Sequence, residues 1–121
     1  MEWQFSTDRP IYLQLIDMIK QKIISGQYGP GQKLQSVREM AGVLAVNPNT
    51  LQRALGELEK EGLVFTQRTN GRFITEDTQL IDEVKKQMAT ERITQLLKEM
   101  EQMGYSVEEV IALIKSTGKG E

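Results

Sequence analysis

The run Asn47-Pro48-Asn49-Thr50-Leu51-Gln52-Arg53 concentrates side chains suited to reading nucleic-acid bases. Asn and Gln match the donor and acceptor of adenine, Arg matches the two acceptors of guanine, and the Thr methyl can meet the methyl of thymine. No acid lies between Val46 and Gly56 to repel phosphate. The plainer reading is a solvated helix face with Asn47 and Thr50 as caps. A second set is Arg68 and Arg72, which bracket Thr69-Asn70-Gly71 inside the acid-free stretch 62–75. Arginines so placed contact phosphate or enter a minor groove, or merely keep an edge strand soluble. Arg38, beside Ser36, and Lys33 are further phosphate candidates. Arg38 could instead form a surface ion pair with Glu39 or Asp17, which is worth little. The candidate nucleic-acid contacts are thus Lys33, Ser36, Arg38, Asn47, Asn49, Thr50, Gln52, Arg53, Arg68, Asn70, Gly71 and Arg72.

Catalysis has no comparable set. The chain has no cysteine and no histidine, which removes thiolate and imidazole metal ligands, the commonest general base, and Ser-His or Cys-His nucleophiles. Glu57, Glu59 and Glu61, like Asp82 and Glu83, are spaced so that they do not converge on one helix face. Gly29-Pro30-Gly31 lacks the spacing of a phosphate-binding loop. No catalytic residue, metal or cofactor is therefore expected. No apolar run reaches the roughly 18 to 20 residues of a membrane helix, and Met1-Glu2-Trp3-Gln4 does not open a secretory signal. A cytoplasmic protein is the expectation.

Elements must position these side chains, and the chain of 121 residues has room for about one domain with an appendage. Tyr12, Leu15, Ile16, Ile19 and Ile23 make one helical stripe after Pro10, with Asp8 or Thr7 as the expected cap. Ser36-Val37-Arg38-Glu39 is a capping box that opens a second helix whose buried face is Val37, Met40, Ala41 and Leu44. After a gap of only about three residues, Asn47 and Pro48 start a third helix with Leu51, Ala54, Leu55 and Leu58 inside. The pattern then turns to strand types on either side of Asn70-Gly71, a hairpin signal. Helix, helix, tight turn, helix and hairpin outline a winged helix-turn-helix.

Beyond Asp77, Leu80, Ile81, Val84 and Met88 begin an apolar stripe that Ile93, Leu96, Leu97, Met100 and Met103 continue. The expected helix has about 25 residues and a length of about 38 Å. A second capping box, Ser106-Val107-Glu108-Glu109, opens a short helix with Val110, Ile111, Leu113 and Ile114. Two such helices cannot bury both stripes alone, so they fold back on the first domain or pair with a second copy. The expected dimerisation set is Leu80, Val84, Met88, Ile93, Leu96, Leu97, Met100, Val110 and Ile114. Trp3 and Phe5 are read as covering an edge of the domain or of this interface.

The net charge of −2 argues against nucleic acid only as a sum. Residues 1–75 carry 9 Lys and Arg against 7 Asp and Glu, while the rest carries 6 against 10. Acidity belongs to the C-terminal third.

Gly26-x4-Gly31-x-Lys33-Leu34-x-Ser36-x-Arg38-Glu39-Met40-Ala41, then Val46-Asn47-x2-Thr50-Leu51-x2-Ala54-Leu55-x2-Leu58-Glu59-x-Glu61-Gly62-Leu63-Val64 and Gly71-x-Phe73-Ile74, together resemble the DNA-binding domain of GntR-family bacterial transcription regulators. Pro10-Ile11-Tyr12-x-Gln14-Leu15 and Val46-Asn47-Pro48-Asn49-Thr50 resemble the YtrA subfamily in particular. The resemblance implies a winged-helix regulator, more readily a repressor than an activator, with a short two-helix dimerisation region. It also implies that Arg38 contacts DNA and that Gly71 stands at the wing tip. Three positions depart from the family pattern. Asn47-Pro48 replaces a common Ser-Arg or Thr-Arg, which shifts base readout to Asn49, Gln52 or Arg53. Leu34-Gln35-Ser36 replaces Leu-Pro-Ser, and Gly71-Arg72 replaces Gly-Thr, adding a positive charge.

The expected fold is mainly α with a small β-hairpin: a winged helix-turn-helix domain at 9–75 and a helical dimerisation region at 77–117. The expected function is sequence-specific binding of double-stranded DNA by a homodimer on an inverted repeat. A protein-interaction module built on the same fold is the alternative, and it would show an apolar exposed patch where this chain has Asn49, Gln52 and Arg53. A dimer groove between the long helices is the place left for a small-molecule effector, and no membrane contact is expected.

Overall fold

A computed structural model describes residues 5–118. The order is α1 (Ile11–Ile24), α2 (Val37–Leu44), α3 (Pro48–Lys60), β1 (Val64–Gln67), β2 (Gly71–Ile74), α4 (Thr78–Gln102) and α5 (Val107–Thr117). The chain divides within α4 into two compact units, Met1–Val84 and Lys85–Glu121.

In the first unit α3 packs against both α1 and α2. The apolar spacing read from the sequence becomes its core: Leu15, Ile16, Ile19, Ile23, Leu51, Ala54, Leu55 and Leu58 are buried, joined by Met18, which that spacing did not include, by Leu63 ahead of β1, and by Val64 and Ile74 of the strands. Burying these side chains is the main stabilising term, about 1.5 to 3 kcal/mol for each large aliphatic one. The expected cap of α1 does not form. Pro10 stands at the N-cap without a side-chain hydrogen bond, and the Asp8 carboxylate accepts from the Ser6 hydroxyl instead. Trp3 lies outside the described residues, and Phe5 is half-buried.

The turn from α2 to α3 is set by Ala45, which adopts the left-handed conformation at φ 57° and ψ 45°. Its N–H reaches back to the carbonyls of Ala41 and Gly42, and that of Val46 to Ala41 at 3.0 Å. The helix end is closed and the chain is redirected within three residues into Asn47.

β1 and β2 pair antiparallel with Gln67 opposite Gly71. The loop is therefore the three residues 68–70 rather than a two-residue Asn70-Gly71 turn. Asn70 N–H donates to Gln67 O at 3.1 Å, and Gly71 follows at φ +103°, the pattern of a three-residue hairpin with a glycine bulge. A third short segment joins the hairpin: Lys33 bridges Phe73, Leu34 N–H donates to Arg72 O and Ile74 N–H to Gln32 O, both at 2.9 Å. Long-range pairing of this kind leaves no local signature in residues 31–34.

The first turns of α4 belong to the same unit, where Ile81 and Val84 are each 8% exposed. In the second unit α5 carries its capping box: Ser106 Oγ accepts from Glu109 N–H at 3.2 Å while the Glu109 carboxylate accepts from Ser106 N–H at 2.8 Å. Val110 is buried there.

Candidate nucleic-acid interface

α3 has two unlike faces. Leu51, Ala54, Leu55 and Leu58 are buried, whereas Asn49, Gln52 and Arg53 are exposed on the opposite side and Thr50 is half-buried. Asn47 Oδ1 accepts from Asn49 N–H at 2.7 Å, so Asn47 acts as the helix cap, with Pro48 in the first turn where no donor is lost. A shallow depression brings Asn49, Thr50 and Arg53 together with Ile11 and Tyr12 of α1. There the Arg53 guanidinium lies 3.6 Å from the centre of the Tyr12 ring. Tyr12 falls on the α1 stripe, as its spacing requires, but its place beside the exposed polar face of α3 could not be read from that spacing.

Ser36 is fully engaged as a cap. Its Oγ accepts from Glu39 N–H at 3.1 Å and donates to Glu39 Oε1 at 3.2 Å. Arg38 is exposed and makes no salt bridge among the described residues. Both acids that could have held it are occupied: Asp17 pairs with Arg9 at 3.0 Å, and Glu39 closes the capping box.

A second groove gathers Lys33, Ser36, Asn70, Gly71 and Arg72 between the segment ahead of α2 and the wing tip. Lys33 lies across Gly71, its Cε 3.4 Å from where a Cβ would stand. Arg68 and Asn70 are exposed, and Asn70 Nδ2 donates to Gln67 Oε1 at 3.1 Å. Arg72 differs from the open wing arginine expected of it. It is half-buried, with Nε 3.6 Å from Glu59 Oε1, and Glu59 also accepts from the Thr66 hydroxyl. Its Nε is buried with no hydrogen-bond partner among the described residues. The acid-free stretch of sequence is thus not acid-free in space, because the last turn of α3 returns Glu59 to the strands.

In the second unit Ile93, Leu96 and Ile114 are exposed at 56%, 40% and 55%, while Leu97 and Met100, like Met88, are half-buried. An apolar depression there is lined by Leu96, Met100, Val110, Leu113 and Ile114. Leu80 is half-buried in the first unit, where Val84 is buried too. Among the described residues no cluster of three His, Cys, Asp or Glu is placed to hold a metal ion, and no helix is long and apolar enough to cross a membrane. Burial pushes the Tyr28 phenol up, and the Ser6 hydroxyl holds the Asp8 carboxyl down; neither residue is a candidate contact.

Residues 11–74, the helix-turn-helix and wing just described, match the family model of the bacterial regulatory proteins of the gntR family. The chain belongs to the GntR family. It is 41% identical over 120 residues to the HTH-type transcriptional regulator YhcF of Bacillus subtilis (strain 168), covering 99% of both chains. It is 38% identical to the HTH-type transcriptional repressor YtrA of the same organism, covering 88% of this chain and 82% of the repressor. The structure superposes on a GntR family transcriptional regulator from Listeria monocytogenes with a TM-score of 0.87 at 38% identity, covering 93% of this chain and 98% of that one. GntR proteins are DNA-binding transcription regulators, not enzymes, and the likeness to YtrA agrees with the resemblance read from the sequence.

Proposed function

We propose that this GntR protein is a homodimeric, cytoplasmic repressor that places two copies of α3 in successive major grooves of an inverted repeat. The observation that carries this is the exposed face of Asn49, Gln52 and Arg53, a row of base-reading donors and acceptors backed by a fully buried apolar face. Residues 9–75 form the DNA-binding domain. Arg38 and Arg68 supply phosphate contacts, with Lys33, Asn70, Gly71 and Arg72 lining the groove beside them, and Ser36 and Asn47 hold helix N-termini in place. The positive end of each helix dipole then faces the backbone.

Within 77–117 the dimer surface centres on Ile93, Leu96, Leu97, Met100 and Ile114, of which Ile93, Leu96 and Ile114 are exposed apolar side chains in a single chain. Leu80 and Val84 are drawn into the first unit instead. The apolar depression beside Leu96 and Met100 is where a small-molecule effector would meet this surface. Titrating an operator fragment with wild-type protein and with Gln52→Ala tests the reading. A loss confined to particular base pairs supports it, and an equal loss on every sequence overturns it.

A further inference from the structure

Arg53 is the longest of the exposed polar side chains on α3 and the one with the most freedom to lose on binding. Yet its guanidinium carbon sits 3.6 Å from the centre of the Tyr12 ring, a face-to-face contact distance. Stacking of this kind uses the flat face of the guanidinium and none of its N–H donors, so the in-plane fork that matches guanine stays available. Arg53 makes no salt bridge among the described residues, and the depression it shares with Ile11, Tyr12, Asn49 and Thr50 is lined by no acid.

The helix start that carries the ring is tied down. Gln14, only 5% exposed, accepts from Ser6 N–H at 2.8 Å and donates to Ser6 O and Arg9 O at 2.9 and 2.8 Å. These bonds tie the segment ahead of α1 to its first turns, where Tyr12 stands. An aromatic platform on a clamped helix start thus lies beneath a long cationic side chain of α3.

We propose that Tyr12 is a positioning residue for base readout: its ring holds the Arg53 guanidinium in one orientation, so discrimination at the base met by Arg53 depends on α1 as well as on α3. The inference rests on the reading that Arg53 touches bases. A stacked arginine has already lost much of the rotamer freedom that binding would otherwise remove, which corresponds to about three- to tenfold in affinity.

The test measures dissociation constants for a selected operator and its single-base variants with wild type, Tyr12→Phe, Tyr12→Leu, Arg53→Ala and the double variant Tyr12→Leu/Arg53→Ala. Arg53→Ala is expected to flatten the preference at one base pair of each half-site. Tyr12→Leu should flatten the same position by about three- to tenfold and leave the others unchanged. Tyr12→Phe, which keeps the ring, should behave as wild type, and the double variant should be no worse than Arg53→Ala. A uniform loss with Tyr12→Leu, a loss with Tyr12→Phe that assigns the hydroxyl to phosphate, or additive effects would each overturn the proposal. If Arg53→Ala flattens a position and Tyr12→Leu does not, the positioning role alone is wrong. If Arg53→Ala leaves every preference intact, base reading by Arg53 fails and the inference with it. Should Tyr12→Leu unfold, proton resonances of Arg53 in the free wild type decide: an upfield ring-current shift of its δ protons supports the stack, and random-coil values overturn it.

Discussion

Arg38 and Arg72 carry the same charge but have different neighbours, and their contributions to binding should differ accordingly. Arg38 is exposed, and the two acids the sequence offered as its partners, Glu39 and Asp17, are engaged elsewhere, so Arg38→Ala should lower the slope of log affinity against log salt by about one unit. Arg72 faces Glu59 at 3.6 Å with its Nε buried. Arg72→Ala should change that slope by less and should also lower the thermal midpoint, because Glu59 keeps only its Thr66 partner. Fluorescence anisotropy across a salt series separates the two, and equal slope changes would contradict the assignment. Gln52→Ala should cost about 1 to 3 kcal/mol at particular bases only. At this scale residue types were legible, since base-reading chemistry is a property of Asn, Gln and Arg themselves. Partners were not: Glu59 lies outside the acid-free stretch in sequence yet meets Arg72 in space, and Tyr12 reads as a core residue until α1 is packed beside α3.

Caps and periodicity determine most of the elements, and these are local signals. The boxes at Ser36 and Ser106 and the cap at Asn47 form where the sequence places them. The failures have local or long-range causes of their own. Pro10 takes the N-cap position that Asp8 or Thr7 would have filled, and the bridge from Lys33 to Phe73 joins segments forty residues apart. The tight turn of the helix-turn-helix carries a measurable strain. Ala45 at φ 57° occupies a conformation that costs a residue with a Cβ about 1 kcal/mol or more. Ala45→Gly should therefore raise stability by about 0.5 to 1 kcal/mol, net of the extra freedom glycine has when unfolded, and thermal unfolding would show a higher midpoint. A lower midpoint would mean that the turn is not strained. Gly31 is the converse. It stands at φ +77° with Glu76 Cγ 3.3 Å from the position of a Cβ, so Gly31→Ala should destabilise the domain and loosen the segment that pairs with the wing.

Charge and hydrophobicity are divided along the chain, and the division explains how a protein of net charge −2 binds a polyanion. Ten of its seventeen acids lie beyond Thr75, away in sequence from the residues proposed to meet DNA. With so few cations on the binding face, two linked domains bind far better than one, because the second engagement is intramolecular. The apolar surface of the second unit supplies the proposed link. Ile93 is 56% exposed in a single chain, so Ile93→Glu should leave the helical content unchanged while shifting sedimentation from dimer to monomer and weakening operator binding. Unchanged sedimentation would place the dimer contact elsewhere. Leu97 is a poorer site for that substitution because it is half-buried within its own chain. Selecting bound fragments from random double-stranded DNA shows whether two α3 helices read one symmetric site. The expected product is an inverted repeat whose half-sites are centred about one helical turn, roughly 10 base pairs, or a multiple of that apart, with the bases met by Gln52 losing their selection in Gln52→Ala. Enrichment of a single asymmetric site, or no sequence enrichment at all, would contradict it.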